Sequence, residues 1–317
     1  MKNIELRPVL IFLLLAFGLS WLIALPLWFG EELASPLMPV IAVAMMATPA
    51  IAALVVVFFV ERPVSKARAL GIVPLRPVGR LIKYLVLALI VPIALILIAL
   101  PIGAAFGVYP ADFVNFSAYR ELLDSQLASV GVPVELPPMG VLVALQLVNV
   151  VIGAFINLIP ALGEELGWRG WLLPKLMPLG AVPAIVASGV IWGLWHAPLV
   201  LLGYNYPTVP GWLGVLCMIA MCILIGAIFG WLRLRSRSVW PAALAHGAFN
   251  AAAGFSFIMS AAGSTIDTTQ ATILGWSGWI VPLVVVIVLV ATGQFRFPPT
   301  KYAPPVAEQV ITAEPPR

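Results

Sequence analysis

Eight long stretches of this chain are almost free of charge, and they limit its fold more than any other feature. About 20 apolar residues, rising about 1.5 Å each, are enough for a helix to cross a bilayer. Only 9% of all residues are charged, against about 25% in soluble domains. The sequence therefore predicts an all-α polytopic membrane protein with about eight transmembrane helices and a polar cavity in the helix bundle, its spans being 8–30, 33–60, 84–111, 139–164, 182–203, 211–232, 239–262 and 276–294.

The segments between the spans suggest three parts. Residues 1–135 would hold the first three spans and an interfacial loop, because residues 112–135 are polar but carry Phe and Leu at helical spacing. Residues 136–294 would form the core that carries the polar motifs. The Pro-rich tail at 295–317 is expected to be disordered and cytoplasmic.

The basic residues are distributed unevenly. With the N-terminus placed inside and the spans alternating, 16 of the 17 Lys and Arg residues lie on the inner side, and Arg120 lies outside. Basic residues of membrane proteins gather on the cytoplasmic side. We therefore expect a multi-pass protein of the cell membrane with both termini and the connector 61–83 in the cytoplasm, and the Ala, Val and Leu bias indicates a bacterial source.

Glu164, Glu165 and Arg169 interrupt this apolar sequence at the end of the fourth span. A charge at the centre of a membrane helix costs about 2.5–3.5 kcal/mol, so such residues are expected to have a function. In a helix, Glu165 and Arg169 are four residues apart on one face and can pair. Glu164 then points about 100° away and is free for another role.

The two histidines of the chain are both predicted to lie inside spans. His196 follows Trp192 by four residues, and Asn250 follows His246 by four, so each pair shares a helix face. If the fourth helix continues to about Leu176 and turns back, Glu164 and His196 lie level with each other. The alternative is that the histidines only pack in the helix bundle.

One face of the fourth helix is polar or small, and it has two possible uses. It is either a stripe for helix packing or the wall of a water-filled cavity. The face comprises Gln146, Asn149, Gly153, Asn157 and Glu164.

The ordered set of motifs resembles that of the CPBP family, which comprises CAAX prenyl endopeptidases and bacteriocin-processing intramembrane proteases and is also called the Abi family. The resemblance covers about residues 140–255. It rests on Glu164-Glu165-xxx-Arg169, on Trp192-xxx-His196, where the family usually has Phe in the first position, and on His246-xxx-Asn250.

The resemblance implies a peptidase with Glu164, His196, His246 and Asn250 as catalytic residues. Glu164 and His196 would activate a water molecule, and His246 with Asn250 would stabilise the oxyanion. Glu165, Arg169 and Trp192 would support them. No cofactor is then needed.

Three other readings remain open. Glu164, His196 and His246 also form a His/His/Glu set that suits catalytic Zn²⁺, which would make the protein a zinc-dependent intramembrane metalloprotease. A non-catalytic scaffold or bacteriocin-immunity protein would bind a peptide in the same cavity. A transporter would be expected to show internal repeats, and the sequence shows none.

The expected partners are the lipid bilayer and a peptide or protein substrate that is prenylated or membrane-embedded. No nucleic-acid partner is expected.

The charge distribution yields a test of orientation. Single cysteines introduced at Glu121 or Asp124, in a background lacking Cys217 and Cys222, should react with a membrane-impermeant maleimide added outside intact cells. A cysteine at Arg68 serves as the control and should react only after the membrane is opened. Labelling of the 112–135 loop from the cytoplasmic side alone would overturn the predicted orientation.

Overall fold

The computed structural model describes residues 4–131 and 136–296, and in these ranges it contains helices and no strand. The helices, in chain order, are α1 Leu6–Trp28, α2 Met38–Met46, α3 Thr48–Val55, α4 Lys66–Ala69, α5 Val78–Ala105, α6 Ser117–Val130, α7 Met139–Glu165, α8 Leu173–Leu176, α9 Ala181–Trp195, α10 Ala197–Val200, α11 Gly211–Ser236, α12 Trp240–Ala252, α13 Phe255–Ile258 and α14 Trp276–Ala291.

The predicted all-α polytopic fold is confirmed. Of the predicted eight spans, five contain a helical run that is long and apolar enough to cross a membrane. The fifth predicted span contains the shorter apolar helix α9, and the eighth contains the shorter apolar helix α14. The seventh predicted span contains α12 and α13. The long runs are Leu6–Trp28, Met38–Glu61, Val78–Ala105, Met139–Leu179 and Gly211–Ser236.

The fifth span differs from its prediction because it is broken at His196. Helix α9 ends at Trp195, and α10 begins at Ala197. Pro198 follows two residues after His196, and proline has no backbone N–H to donate to the preceding turn. The break therefore places His196 at a helix end rather than in the middle of a continuous helix.

The predicted hairpin after Glu164 is present. Helix α7 runs through Glu165 into a π-helical segment, Leu166–Leu172, then into α8 and a short 3-10 turn, Met177–Leu179. Gly180 has a φ of 96°, and α9 starts directly after it. The chain therefore reverses within a few residues, and α9 returns towards the level of Glu164.

Helix α6 lies in the 112–135 loop, as the helical spacing of its Phe and Leu residues indicated, and its place at a membrane interface stays a prediction. The division of the chain into three parts also stays a prediction. Residues 297–317, which hold almost all of the predicted tail, lie outside the described residues.

Small residues allow the helices that carry the motifs to approach closely. A Cβ atom added at Gly247 of α12 would lie 2.5 Å from the backbone oxygen of Ala154 in α7, and one at Gly153 would lie 3.2 Å from the Ala251 Cβ. This part of the α7 face is thus a packing stripe, one of the two predicted uses. It brings α12, and therefore His246, against the helix that ends in Glu165.

Helix α9 is held against α11 in the same way. A Cβ atom at Gly189 would lie 2.6 Å from the Ile223 Cα, and one at Gly193 would lie 2.5 Å from the Ile219 Cα. The two glycines are one turn apart, so they form a continuous smooth surface on α9. The contact fixes the position of Trp192, which lies next to Gly193.

The close packing of α7 and α12 predicts a sharp difference between two glycine substitutions. Gly247→Ala places a methyl group against rigid backbone and should lower stability by about 1–3 kcal/mol, which thermal unfolding in detergent will detect. Gly254→Ala, where no atom lies within 4 Å of the new Cβ, is the control and should leave the melting temperature unchanged or slightly higher. Equal melting temperatures for the two variants would contradict the packing described.

Candidate active site

Glu164 is buried at the end of α7, and two tryptophans hold one of its oxygens. The indole Nε1 of Trp192 donates to Glu164 Oε2 over 2.7 Å, and Trp168 Nε1 donates to the same oxygen over 3.3 Å. The other oxygen, Oε1, has no donor among the described residues, and it is not fully enclosed. One side of the carboxylate is therefore fixed, and the other is available to a ligand.

Glu165 makes different contacts, with two cationic or potentially cationic side chains. Arg169 Nη1 donates to Glu165 Oε1 over 2.7 Å, and both side chains are buried. His246 Nδ1, from α12, donates to the same oxygen over 3.1 Å. The predicted pairing of Glu165 with Arg169 is confirmed, and the pair also fixes one nitrogen of His246.

The Arg169 guanidinium is enclosed by aromatic rings. Its Cζ lies 4.1 Å from the centre of the Trp192 ring and 5.5 Å from that of Phe229. Gly226 of α11 leaves room for it, because a Cβ there would lie 2.9 Å from Arg169 Nη2. Cation–π attraction thus contributes to holding a charge that has little access to water.

His196 lies half-buried at the end of α9, and its tautomer follows from its hydrogen bond. Nδ1 is 2.8 Å from the backbone oxygen of Trp192, and a carbonyl can only accept. Nδ1 therefore carries a proton, and in the neutral ring Nε2 is left as the acceptor. Such a nitrogen is suited to accept a hydrogen bond from water.

Helix α12 carries His246 and Asn250 one turn apart. His246 is 4% exposed, and its ring lies 5.4 Å from Trp192 and 5.7 Å from Phe229, centre to centre. Asn250 is half-buried, and its side chain has no hydrogen bond to another residue in the described ranges. Its amide is thus available as a donor.

The predicted site residues form one connected group with two gaps. Trp192 touches Glu164, Arg169 and His196, while Glu165 joins Arg169 to His246. Glu164 and His196 are connected through Trp192 rather than by a direct hydrogen bond. Asn250 is placed only by its position on α12.

Two further interactions of Glu164 were not predicted, a hydrogen bond and an electrostatic effect. Trp168 follows Glu164 by four residues, so helical spacing was a usable signal for its hydrogen bond. Tyr204 lies in the loop after α10, where burial, and secondarily the charge of Glu164, raise the pKa of its hydroxyl. No sequence spacing connects this loop with α7, so pattern analysis had no means to find Tyr204.

An apolar cavity of about 480 Å³ opens between α5, α7 and α12. None of the polar site residues lines it. Leu244, however, is two residues before His246 on the same helix. The lining residues are Leu75, Leu81, Ile82, Leu85, Val86, Leu89, Phe155, Leu158, Trp240 and Leu244.

The different contacts of the two glutamates predict different effects on stability. Glu165→Gln leaves the buried Arg169 without a counter-charge, and removing one partner of a buried pair costs about 3–5 kcal/mol. Glu164→Gln keeps a carbonyl oxygen that still accepts from the indoles, so its melting temperature should stay close to that of the wild type. Thermal unfolding of both purified variants checks this, and equal losses would show that the two carboxylates are not distinguished as described.

Comparison with known proteins supports a family assignment for the part of the chain that holds this site. Residues 146–252 match the sequence model of the family described as Type II CAAX prenyl endopeptidase Rce1-like. The curated CAAX prenyl protease 2 of Methanococcus maripaludis is 31% identical over 88 residues, which are 26% of this chain and 32% of that protein. The match thus spans about a third of that relative. Residues 146–252, which contain every predicted site residue, are therefore similar to the CPBP family of proteases.

Proposed function

We propose that this chain is an intramembrane endopeptidase that hydrolyses a peptide bond with a water molecule activated by Glu164. The observation that carries the proposal is the contrast between two adjacent buried carboxylates. Each carboxylate has one oxygen without a hydrogen-bond donor. In Glu165 this oxygen, Oε2, is fully enclosed and the other one accepts from Arg169 and His246, whereas Glu164 Oε1 is not enclosed and can accept from a ligand. A carboxylate with an available oxygen in an apolar surrounding is suited to act as a general base.

In the proposed reaction, Glu164 Oε1 takes a proton from water as the water oxygen attacks the peptide carbonyl carbon. His196 Nε2 accepts a hydrogen bond from the other hydrogen of this water and so orients the water molecule. Nε2 is available for this bond because Nδ1 donates to the Trp192 carbonyl. The tetrahedral intermediate then breaks its C–N bond. The leaving nitrogen receives the proton from Glu164, which yields an amine and a carboxylic acid that keeps the second proton of the water.

His246 and Asn250 are proposed to stabilise the negative oxygen of that intermediate. When His246 carries both protons, Nδ1 donates to Glu165 and Nε2 is left to donate to the oxyanion. Loss of one oxyanion donor typically reduces kcat by about 10²–10³-fold. The Asn250 amide, one turn away on α12, is the proposed second donor.

Of the two forms of this reaction, with and without zinc, we propose the metal-free form. In residues 4–131 and 136–296, no three His, Cys, Asp or Glu side chains are grouped as the ligands of a metal ion would be. In addition, Glu164 Oε2 is already held by two indoles and His246 Nδ1 by Glu165. A zinc site at Glu164, His196 and His246 would have to use the remaining atoms.

The proposed substrate is a peptide or protein that carries an apolar group or segment, such as a prenyl chain or a membrane helix. The cavity between α5, α7 and α12 supports this, because its volume lies in the range of about 300–1,000 Å³ that is typical of ligand pockets and its lining is apolar. The proposed setting is a bacterial cell membrane, with both termini in the cytoplasm.

The central test of the proposal is the activity of Glu164→Gln. This variant keeps the size of the side chain and removes the base, so cleavage should fall at least about a hundredfold while the protein stays folded. Proteomic comparison of membranes from cells with wild-type or variant protein identifies substrates, and synthetic peptides from these then give rates. Full activity of a folded Glu164→Gln variant would refute the proposal.

The cavity yields a test of the substrate class. Leu85→Trp fills part of the cavity and should raise KM for a lipid-modified peptide several-fold, with little change for the same peptide without the lipid. Ile98→Trp, an exposed position on α5 outside the cavity, is the matched control and should change neither value. Equal effects of Leu85→Trp on both peptides would show that the cavity does not bind the apolar group.

A further inference from the structure

We propose that Trp192 is a positioning residue whose indole N–H fixes the Glu164 carboxylate and leaves Oε1 as the oxygen that accepts the proton. This inference rests on the proposed function. Its structural basis is the 2.7 Å hydrogen bond from Trp192 Nε1 to Glu164 Oε2, between two side chains that are 2% and 3% exposed. Burial of both side chains limits the competition of water for this bond, so the bond restricts rotation of the carboxylate.

The position of the indole is itself fixed by its neighbours. The Arg169 guanidinium lies over the ring at 4.1 Å, and the His246 ring meets it edge to face at 5.4 Å. A cation over an aromatic face withdraws electron density from the ring, which makes the indole N–H a stronger donor. The Glu165–Arg169 pair therefore acts on Glu164 through Trp192.

The backbone of the same residue orients His196. The Trp192 carbonyl accepts from His196 Nδ1 over 2.8 Å, so Nε2 is left as the acceptor. The Trp192 side chain thus determines which oxygen of Glu164 stays free, and the Trp192 main chain determines which nitrogen of His196 stays free. Only the first of these two effects depends on the side chain being Trp.

Another tryptophan offers a close control for the first effect. Trp171, which is 1% exposed, donates its Nε1 to the Glu61 carboxylate over 3.0 Å. Glu61 belongs to the helical run Met38–Glu61 and is not part of the site. Trp171→Phe therefore removes the same kind of hydrogen bond at a place where no catalytic effect is expected.

The kinetic test compares Trp192→Phe with Trp171→Phe. Loss of a hydrogen bond to a charged group should lower kcat of Trp192→Phe by between about tenfold and a hundredfold, with KM changed by less than about twofold. Trp171→Phe should keep both values. An unchanged kcat for Trp192→Phe, or an equal fall of kcat in both variants, would overturn the proposal.

An isosteric replacement removes the N–H without disturbing the packing. 3-Benzothienylalanine at position 192, introduced by nonsense suppression, keeps a bicyclic ring under Arg169 and lacks only the donor, so it remains informative if Trp192→Phe fails to fold. We expect this protein to show the same loss of kcat. Wild-type kcat in this protein would mean that the indole acts by its shape alone and would overturn the proposal.

A chemical readout separates this inference from the proposed function. Dicyclohexylcarbodiimide reacts with protonated carboxyl groups. A carboxylate that loses the shorter of its two indole hydrogen bonds, and keeps only the 3.3 Å bond from Trp168, takes up a proton more readily. The benzothienyl protein should therefore form the Glu164 adduct several-fold faster than the wild type, as followed by mass spectrometry, with Glu164→Gln as the blank. Equal rates of adduct formation in the two proteins would overturn the role of Trp192, even if the wild type is a peptidase. Faster adduct formation in the benzothienyl protein, together with a wild type that cleaves no peptide, would refute only the proposed function.

Discussion

The buried ion pair between Glu165 and Arg169 is the interaction on which the rest of the site depends. An arginine inside an apolar helix bundle is tolerated when its charge is balanced and its face is covered. Glu165 supplies the counter-charge at 2.7 Å, and Trp192 and Phe229 cover the guanidinium. Because this pair neutralises one of two adjacent carboxylates and also fixes His246, it leaves Glu164 as the acidic group with an available oxygen.

This arrangement requires helices that approach one another closely, since its groups come from α7, α9 and α12. Gly247 lets α12 meet the backbone of α7, and Gly189 with Gly193 lets α9 meet α11. In a bilayer such packing is a main source of helix association, because lipid tails are as apolar as the side chains that face them. The precision of the polar site therefore depends on residues that have no side chain.

Much of this structure could be predicted from the sequence because its signals are local. The charge-free segments predicted the long helices, the four-residue spacing predicted the pair of Glu165 with Arg169, and a turn after about Leu176 was expected where the hairpin lies. The direction of the Trp192 indole and the electrostatic effect of Glu164 on Tyr204 could not be predicted, because both depend on how distant segments pack. The helix break at His196 had a local signal in Pro198, which the span prediction did not use.

The proposed hydrolysis depends on Glu164 and requires no metal ion. The most direct measurement determines the zinc content and the cleavage rate of the same purified sample, before and after dialysis against a strong chelator. The account predicts well under one zinc per chain, an unchanged rate after dialysis, and no rate above background in Glu164→Gln. A rate that falls with zinc content and returns with added zinc but not with magnesium would contradict it and make Glu164, His196 and His246 metal ligands.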